Sequence, residues 1–448
     1  MKDRFPLMTD AGERRLRWLT EHPHAPRFTH PGCERLDAQA LQSLRAFERE
    51  LGIAPRWAHG EIPMWLEDFV ARGCRDVPFY RRQGLPTASF FDLPTTERAD
   101  LNREPWSFVP DTQLLDGLLV YNTSGATGHP LSVLSQPETV AKYMPLLRAA
   151  LATRGVTLEG GPERVAVILV CFQKWTFTYA AVSAFLDQAG FAKLNLYPAE
   201  WRNPDDRAAF LDDCDPEVYT GDPYAFAELA RLPLRARPKA LVSTAMALHP
   251  GLRQKLEARF ACPVLDVYSM NESGPIAAEN PRSHTKEHER EYRFLQPKLY
   301  VEILDPDGAP CPPGTRGEIT LSGGFNPFLP LLRYRTGDYA SLEFRADGPV
   351  LVGLEGRPIV TFRTRDGRPL NNVDVNWALR PFPIAQYALH QAADGSLTLR
   401  VRGSSVGEAT LREALLRLFG PDQPLAIELD APLASTTDKL VSYTSELA

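Results

Sequence analysis

Residues 165–172 read VAVILVCF, eight apolar side chains with no alternating polar position. A strand with one wet face alternates, so this run belongs to a parallel strand covered on both faces. That requirement commits the chain to a layered α/β architecture with helices on either side of the sheet. Helical spacing is present where it is needed. Leu41, Leu44, Phe47 and Leu51 mark a helix over 37–52, and a second over 62–72 is expected to end at Gly73. Further helices are expected over 138–153, 180–189 and 252–260, and a Thr95 or Thr96 cap opens another. Short strands at 218–220, 240–243 and 264–268 alternate with them, which predicts a mostly parallel sheet.

After about residue 295 the pattern changes. Short strands at 299–304, 317–321, 340–344 and 350–352 are separated by turns such as Asp307-Gly308 and Asp347-Gly348. This reads as a small antiparallel, barrel-like subdomain. The tail gives two strands, a helix over 410–419 and a strand over 425–428, a small α+β unit. The expected division is a large α/β N-terminal domain (1–357, with 295–357 as the antiparallel subdomain) and a small, mobile C-terminal domain (358–448).

A chain of 448 residues has room for two or three such units. Its net charge of −6 argues against a nucleic-acid partner, which would need a positive surface. The longest apolar run falls far short of the ~20 residues that span a bilayer, so no membrane span is expected. The first residues, MKDRFPLMTDAGERRLRW, are charged and lack a signal core. The six cysteines lie apart with no CxxC pair. A cytoplasmic protein with reduced thiols, with a homodimer as one option, is the expectation.

Five blocks carry chemistry. In Thr123-Ser-Gly-Ala-Thr-Gly-His-Pro130, Gly125 and Gly128 allow close backbone approach to an anion. The hydroxyls of Thr123, Ser124 and Thr127 and neighbouring N–H groups suit phosphate oxygens. A polar turn between strand and helix would look the same, and no Walker Gly-Lys-Ser/Thr follows. Tyr268-Ser-Met-Asn-Glu272 follows the strand at 264–268, where open α/β sheets collect ligands. Tyr268 there suits a purine, Ser269 and Asn271 line the same turn, and Glu272 suits phosphate-bound Mg2+. A buried tyrosine beside a surface glutamate is the plain alternative. In Arg333-Tyr-Arg-Thr-Gly-Asp338 the aspartate suits a ribose diol. Glu355-Gly-Arg357 offers an arginine, and Ser435-Thr-Thr-Asp-Lys439 a tail lysine; each alone reads as a solvated turn.

The order and spacing of the five resemble the adenylate-forming superfamily of acyl- and aryl–coenzyme A ligases, adenylation domains and luciferases. Within it, the chain is most similar to the phenylacetate–coenzyme A ligase branch, over a stretch running from Asp76-Val-Pro-Phe-Tyr through Asp92-Leu-Pro-Thr-Thr to Lys439. The resemblance implies ATP and Mg2+ as cofactors and a small carboxylic acid as substrate. It implies an acyl-AMP intermediate, then transfer to coenzyme A. Tyr268 would pack on adenine, Glu272 would ligate Mg2+, Asp338 would hold the ribose with Arg357 nearby, and Lys439 would contact carboxylate and α-phosphate. Thr127, Glu272 and Lys439 are thus the catalytic candidates.

Departures from the family pattern are informative. Ala126 stands where a hydroxyl is usual, Leu131 where lysine is common, and Val360 where the hinge aspartate is expected. They keep open a biosynthetic adenylating enzyme that hands its acyl group to a carrier-protein thiol or an amine, and further off a non-catalytic nucleotide-binding relative. The zinc that some members of the branch hold with cysteines is not expected, because 277–294 and 350–357 contain none; His284 and His288 read as a charged helix face. The acid pocket is expected among Phe172, Trp175, Phe177, Ser243, Thr244, Ala245, Ser273 and Gly274. That aromatic lining favours an aromatic or medium apolar acid, and Lys174 offers a cation for a second acidic group.

Overall fold

The computed structural model describes residues 2–53, 57–84, 90–122, 131–173, 176–280, 290–356, 360–379, 381–430 and 443–447. Strands β1 (Leu119–Asn122) and β2 (Ser132–Ser135) form an antiparallel hairpin in which Asn122 faces Ser132. The apolar stretch 118–121, the glycine loop after it and the helical spacing over 138–153 suggest a strand that passes through the loop straight into a helix. Instead a second strand intervenes, and the helical stretch is split into Pro137–Ala141 and Tyr143–Ala152 at Lys142.

The centre of the molecule is one twelve-stranded sheet. Its strands, in chain order, are β3 (Val165–Cys171), β4 (Tyr179–Ser183), β5 (Ala189–Asn195), β6 (Val218–Gly221), β7 (Ala240–Ser243), β8 (Val264–Met270), β9 (Gly274–Glu279), β10 (Glu291–Phe294), β11 (Leu299–Leu304), β12 (Arg316–Gly323), β13 (Leu331–Arg345) and β14 (Gly348–Gly356). Their spatial order is β11-β12-β13-β14-β10-β9-β8-β7-β6-β3-β5-β4. Strands β5, β3, β6, β7 and β8 are mutually parallel. From β9 onward every pairing is antiparallel, so the antiparallel strands continue the parallel ones through β8 and β9.

The uninterrupted apolar run of β3 has its cause in this arrangement. Ile168 and Val170 pack with Phe210, Phe226 and Phe260 on one face. Ala166 and Val167 pack with Leu146, Leu151 and Leu265 on the other. The helix Ala38–Leu51, capped by the Asp37 side chain on Ala40 N–H at 2.8 Å, brings Leu44 to that second face.

Three local expectations are corrected. Residues 180–189 are not helical: β4 and β5 form an edge hairpin, turned by Asp187 and Gln188 at φ +52° and +69°. Ala180, Ala181 and Val182 are all buried there, with the helix Asp10–Glu21 over them, and burial on both faces outweighs helical propensity. Gly73 does not end its helix, which runs Met64–Asp76; a Cβ there would touch Leu332 Cδ1 at 3.0 Å, so its smallness serves packing. The helix Arg98–Arg103 is capped by Glu97 in a reciprocal box with Asp100, while Thr96 Oγ1 donates instead to Leu332 O at 2.9 Å.

Two short strands, β15 (Thr361–Arg363) and β16 (Pro369–Asn371), lead into the tail. Its four strands are β17 (Ile384–Gln391), β18 (Leu397–Ser404), β19 (Leu425–Leu429) and β20 (Tyr443–Ser445), ordered β19-β18-β17-β20. Helix Glu408–Phe419 packs on them through Leu411, Leu415 and Phe419, giving the tail its own core. β17 and β18 sit against helix Pro223–Arg231. Gly403 (φ +61°) makes this approach possible, since a Cβ there would meet Tyr224 at 3.1 Å and Ala227 at 3.2 Å.

Candidate active site

A cavity of about 1610 Å3 opens at the carboxyl ends of the parallel strands. Pockets for one drug-sized ligand run to roughly 300–1,000 Å3, so this one has space for more than a single small molecule. Ser269, Asn271 and Glu272 reach it from the end of β8. Thr336, Gly337 and Asp338 reach it from β13.

The two blocks, 70 residues apart in the chain, are tied by Tyr268. Its hydroxyl donates to Asp338 Oδ2 at 2.9 Å. Burial and the neighbouring carboxylate push its phenol pKa well up, so it stays a donor. The bulge of β13 that carries Asp338 is held from β12: Glu318 accepts Arg335 Nε at 2.7 Å and Gly337 N–H at 2.9 Å, and Thr336 Oγ1 donates to Ile319 O at 2.9 Å. Gly337, at φ +77°, supplies the left-handed residue of that bulge.

Glu272 is 4% exposed. Its Oε1 accepts Arg98 Nη1 at 3.0 Å and Tyr334 OH at 3.2 Å. Oε2 has no hydrogen bond among the described residues. A hard cation bound mainly to phosphates and water asks one or two carboxylates of its protein, so the donor chemistry here fits Mg2+. Arg98, one-third exposed beside it, is a cation the sequence reading missed.

Other predicted residues fall in different places. Phe177, Thr244 and Ala245 line the cavity. Phe172 turns away from it onto Tyr197 and Tyr224. Ser243 and Ser273 are buried, and Gly274 (φ +71°) lies under Phe325; none of the three is on the cavity wall. Thr123, Ser124, Gly125, Thr127, Gly128, Lys174, Trp175, His284, His288, Arg357 and Lys439 lie outside the described residues. Leu131, where the family often has lysine, is 1% exposed and packs with Val77, Phe79 and Phe108. The tail closes one side of the cavity with Gln386 and Tyr387 of β17 and Tyr443 of β20, the two tyrosine hydroxyls being hydrogen-bonded. No motif marks Lys193, Glu318 or Tyr387; Lys193 at least shows as a lone charge within the apolar run FAKLNL.

The fold and the cavity define a class: α/β proteins with a large cavity at the ends of the parallel strands, closed on one side by an α+β tail. Comparison with known proteins specifies it. Residues 91–326, more than half the chain, match the family of AMP-binding enzymes, and the protein belongs to that family. It is 23% identical over 332 residues to the phenylacetate-coenzyme A ligase of Escherichia coli K12, a match covering 70% of this chain and 71% of that protein. It is 25% identical over 309 residues to the enzyme of the same name from Thermus thermophilus, covering 63% and 65% of the two chains. Protein CapK of Staphylococcus aureus is 22% identical over 311 residues, and the chain spans 65% of its length. Among solved structures, that of 2-hydroxyisobutyryl-CoA ligase in a postadenylation state aligns with a TM-score of 0.58 at 17% identity, covering 94% of this chain and 91% of that one. The adenylate-forming fold therefore extends over the tail as well.

Proposed function

We propose that this protein activates a carboxylic acid with ATP, releasing pyrophosphate and forming an acyl-adenylate that is then passed to the thiol of coenzyme A. The observation that carries the reading is the junction of Ser269–Glu272 with Thr336–Asp338 in one cavity, joined by the Tyr268–Asp338 bond. Asp338 takes the ribose hydroxyls, oriented by Tyr268, whose ring packs in the core behind the cavity wall and whose hydroxyl alone reaches forward to Asp338. Glu272 ligates Mg2+ on the phosphates, with Arg98 available to the same oxygens. Thr123, Ser124, Gly125, Thr127 and Gly128 cradle the phosphates, Arg357 contacts ribose or phosphate, and Lys439 bridges carboxylate and α-phosphate. In-line attack builds negative charge at the α-phosphate, and these cations and N–H donors offset it. In this reading 1–357 is the adenylating domain and 358–448 the smaller domain that completes the site.

A second reading, transfer of the acyl group to a carrier-protein thiol or an amine, is favoured by Val360. In place of a solvated hinge aspartate it packs against the apolar core of the tail. A hinge anchored in this way alters the movement on which thioester formation depends.

ATP–pyrophosphate exchange over a panel of acids tests the first step. Exchange with at least one acid is expected, and Lys439→Ala should lower it by ~10²–10³-fold while ATP binding persists. Exchange that is absent with every acid, or unchanged in Lys439→Ala, refutes the assignment. Acid-dependent AMP release sustained by added coenzyme A supports the thiol acceptor; release that coenzyme A does not stimulate favours the second reading.

A further inference from the structure

The end of the cavity farthest from the nucleotide residues contains a lysine with no task in the reading above. Lys193 lies on β5, in register with Leu169 of β3 on one side and Tyr179 of β4 on the other. The row continues through Thr220 of β6 to Val242 of β7. Neighbours in register project from the same face of a sheet, and all five residues line the cavity. Leu194, next along β5, is buried in the core of the opposite face.

The Lys193 ammonium stands 3.6 Å from the centroid of Phe177, whose ring stacks on Tyr179 at 5.9 Å with an 11° interplanar angle. Among the described residues no carboxylate lies within ion-pair distance of its Nζ. Burial lowers its pKa from the ordinary lysine value, the signature of a charge short of compensation. Such a charge is unfavourable unless an anion meets it. The wall supplies none nearby: Glu34 is engaged by Ala184 N–H at 2.5 Å, Glu355 is paired with Arg316, and Glu97, Glu272, Glu318 and Asp338 belong to the nucleotide end.

Position excludes the reacting carboxylate as that anion. Four strand spacings of ~4.8 Å separate β5 from β8, about 19 Å across the sheet. Between the two ends the wall is mostly apolar, with Val167, Leu169, Leu147 and Val242 beside the single hydroxyl of Thr220. We propose, on the basis of the adenylation reading, that the acid is an extended dicarboxylic acid whose second carboxylate pairs with Lys193 above the Phe177–Tyr179 stack.

The test compares straight-chain α,ω-dicarboxylic acids of about ten to fourteen carbons, lengths that cover those strand spacings once a contact of ~3 Å at the ends is allowed for, with their monocarboxylic counterparts in ATP–pyrophosphate exchange. In the wild type kcat/KM should favour the diacid by ~30-fold, the scale of one charge-assisted contact. Lys193→Met should abolish that preference, chiefly through KM for the diacid, and Lys193→Arg should keep most of it. Wild type without the preference, or Lys193→Met retaining it, overturns the proposal. If no acid supports exchange, the adenylation reading has failed, and calorimetric binding of the diacids decides separately. Wild type binding ~30-fold more tightly than Lys193→Met supports the lysine's role, and equal or undetectable binding in both overturns it.

Discussion

Replacing Arg333 by methionine should destabilise the large unit by about 4 kcal/mol, although the side chain touches no ligand. Arg333 opens the block that carries Asp338, and its side chain is buried against Glu302 on β11. Nη2 donates to Oε1 at 3.1 Å and Nε to Oε2 at 3.3 Å, while Nη1 reaches Phe91 O at 2.7 Å and Leu93 O at 2.6 Å. Methionine fills the volume but leaves a buried carboxylate and two carbonyls without their donor. Losing one member of a buried pair costs ~3–5 kcal/mol, and the carbonyl losses overlap with that figure because one group satisfies all three. Removing both charges is far milder, so Arg333→Met with Glu302→Leu should recover at least about half of the loss.

The sign of the pH dependence follows from Glu302. Burial raises its pKa above the ordinary carboxylate value even with Arg333 present. A carboxyl with a raised folded pKa binds its proton more tightly in the folded state, so stability falls as pH rises from the unfolded value through the folded one. Without Arg333 that pKa rises further, and the deficit of the single variant should be smaller at about pH 5 than at about pH 8. Urea unfolding of the single, double and wild-type chains at both pH values measures this. A loss below about 1 kcal/mol, a double variant no more stable than the single, or a deficit independent of pH would refute the reasoning. The same contacts fasten residues 91–96 to β13, where Thr96 N–H donates to Arg333 O at 3.0 Å, and so help to place Arg98 beside Glu272.

Two further predictions rest on single contacts. Tyr268→Phe removes the donor to Asp338 and should raise KM for ATP by ~5–20-fold with a smaller change in kcat, measured by exchange kinetics; an unchanged KM would show that the bond does not orient Asp338 for the nucleotide. Gly274→Ala places a Cβ 2.5 Å from Phe325 Cζ at φ +71° and should destabilise by ~1–3 kcal/mol. Adding Phe325→Leu should restore only part, because the backbone strain remains; full recovery in thermal melts would mean that crowding alone was responsible.

The sequence by itself determined the architecture where burial leaves a direct trace in residue type. The apolar run of β3 required cover on both faces, and the structure supplies it. The helix capped by Asp37 and the tail helix Glu408–Phe419 were legible from spacing. The order of five motifs pointed to the AMP-binding family that the comparison then matched, because ordered blocks together are specific where each one alone is ambiguous. Tertiary structure decided what depends on partners distant in sequence. Residues 180–189 have helical composition, yet an edge position in the sheet made them a strand and a turn. Arg333 and Asp338 stand in one motif, yet one is buried against Glu302 and the other faces the cavity, because only the sheet's register sets where each side chain points. Lys193 carries no motif at all. Its place on the cavity floor follows from a row of in-register neighbours drawn from five strands, and the local chain does not encode that row.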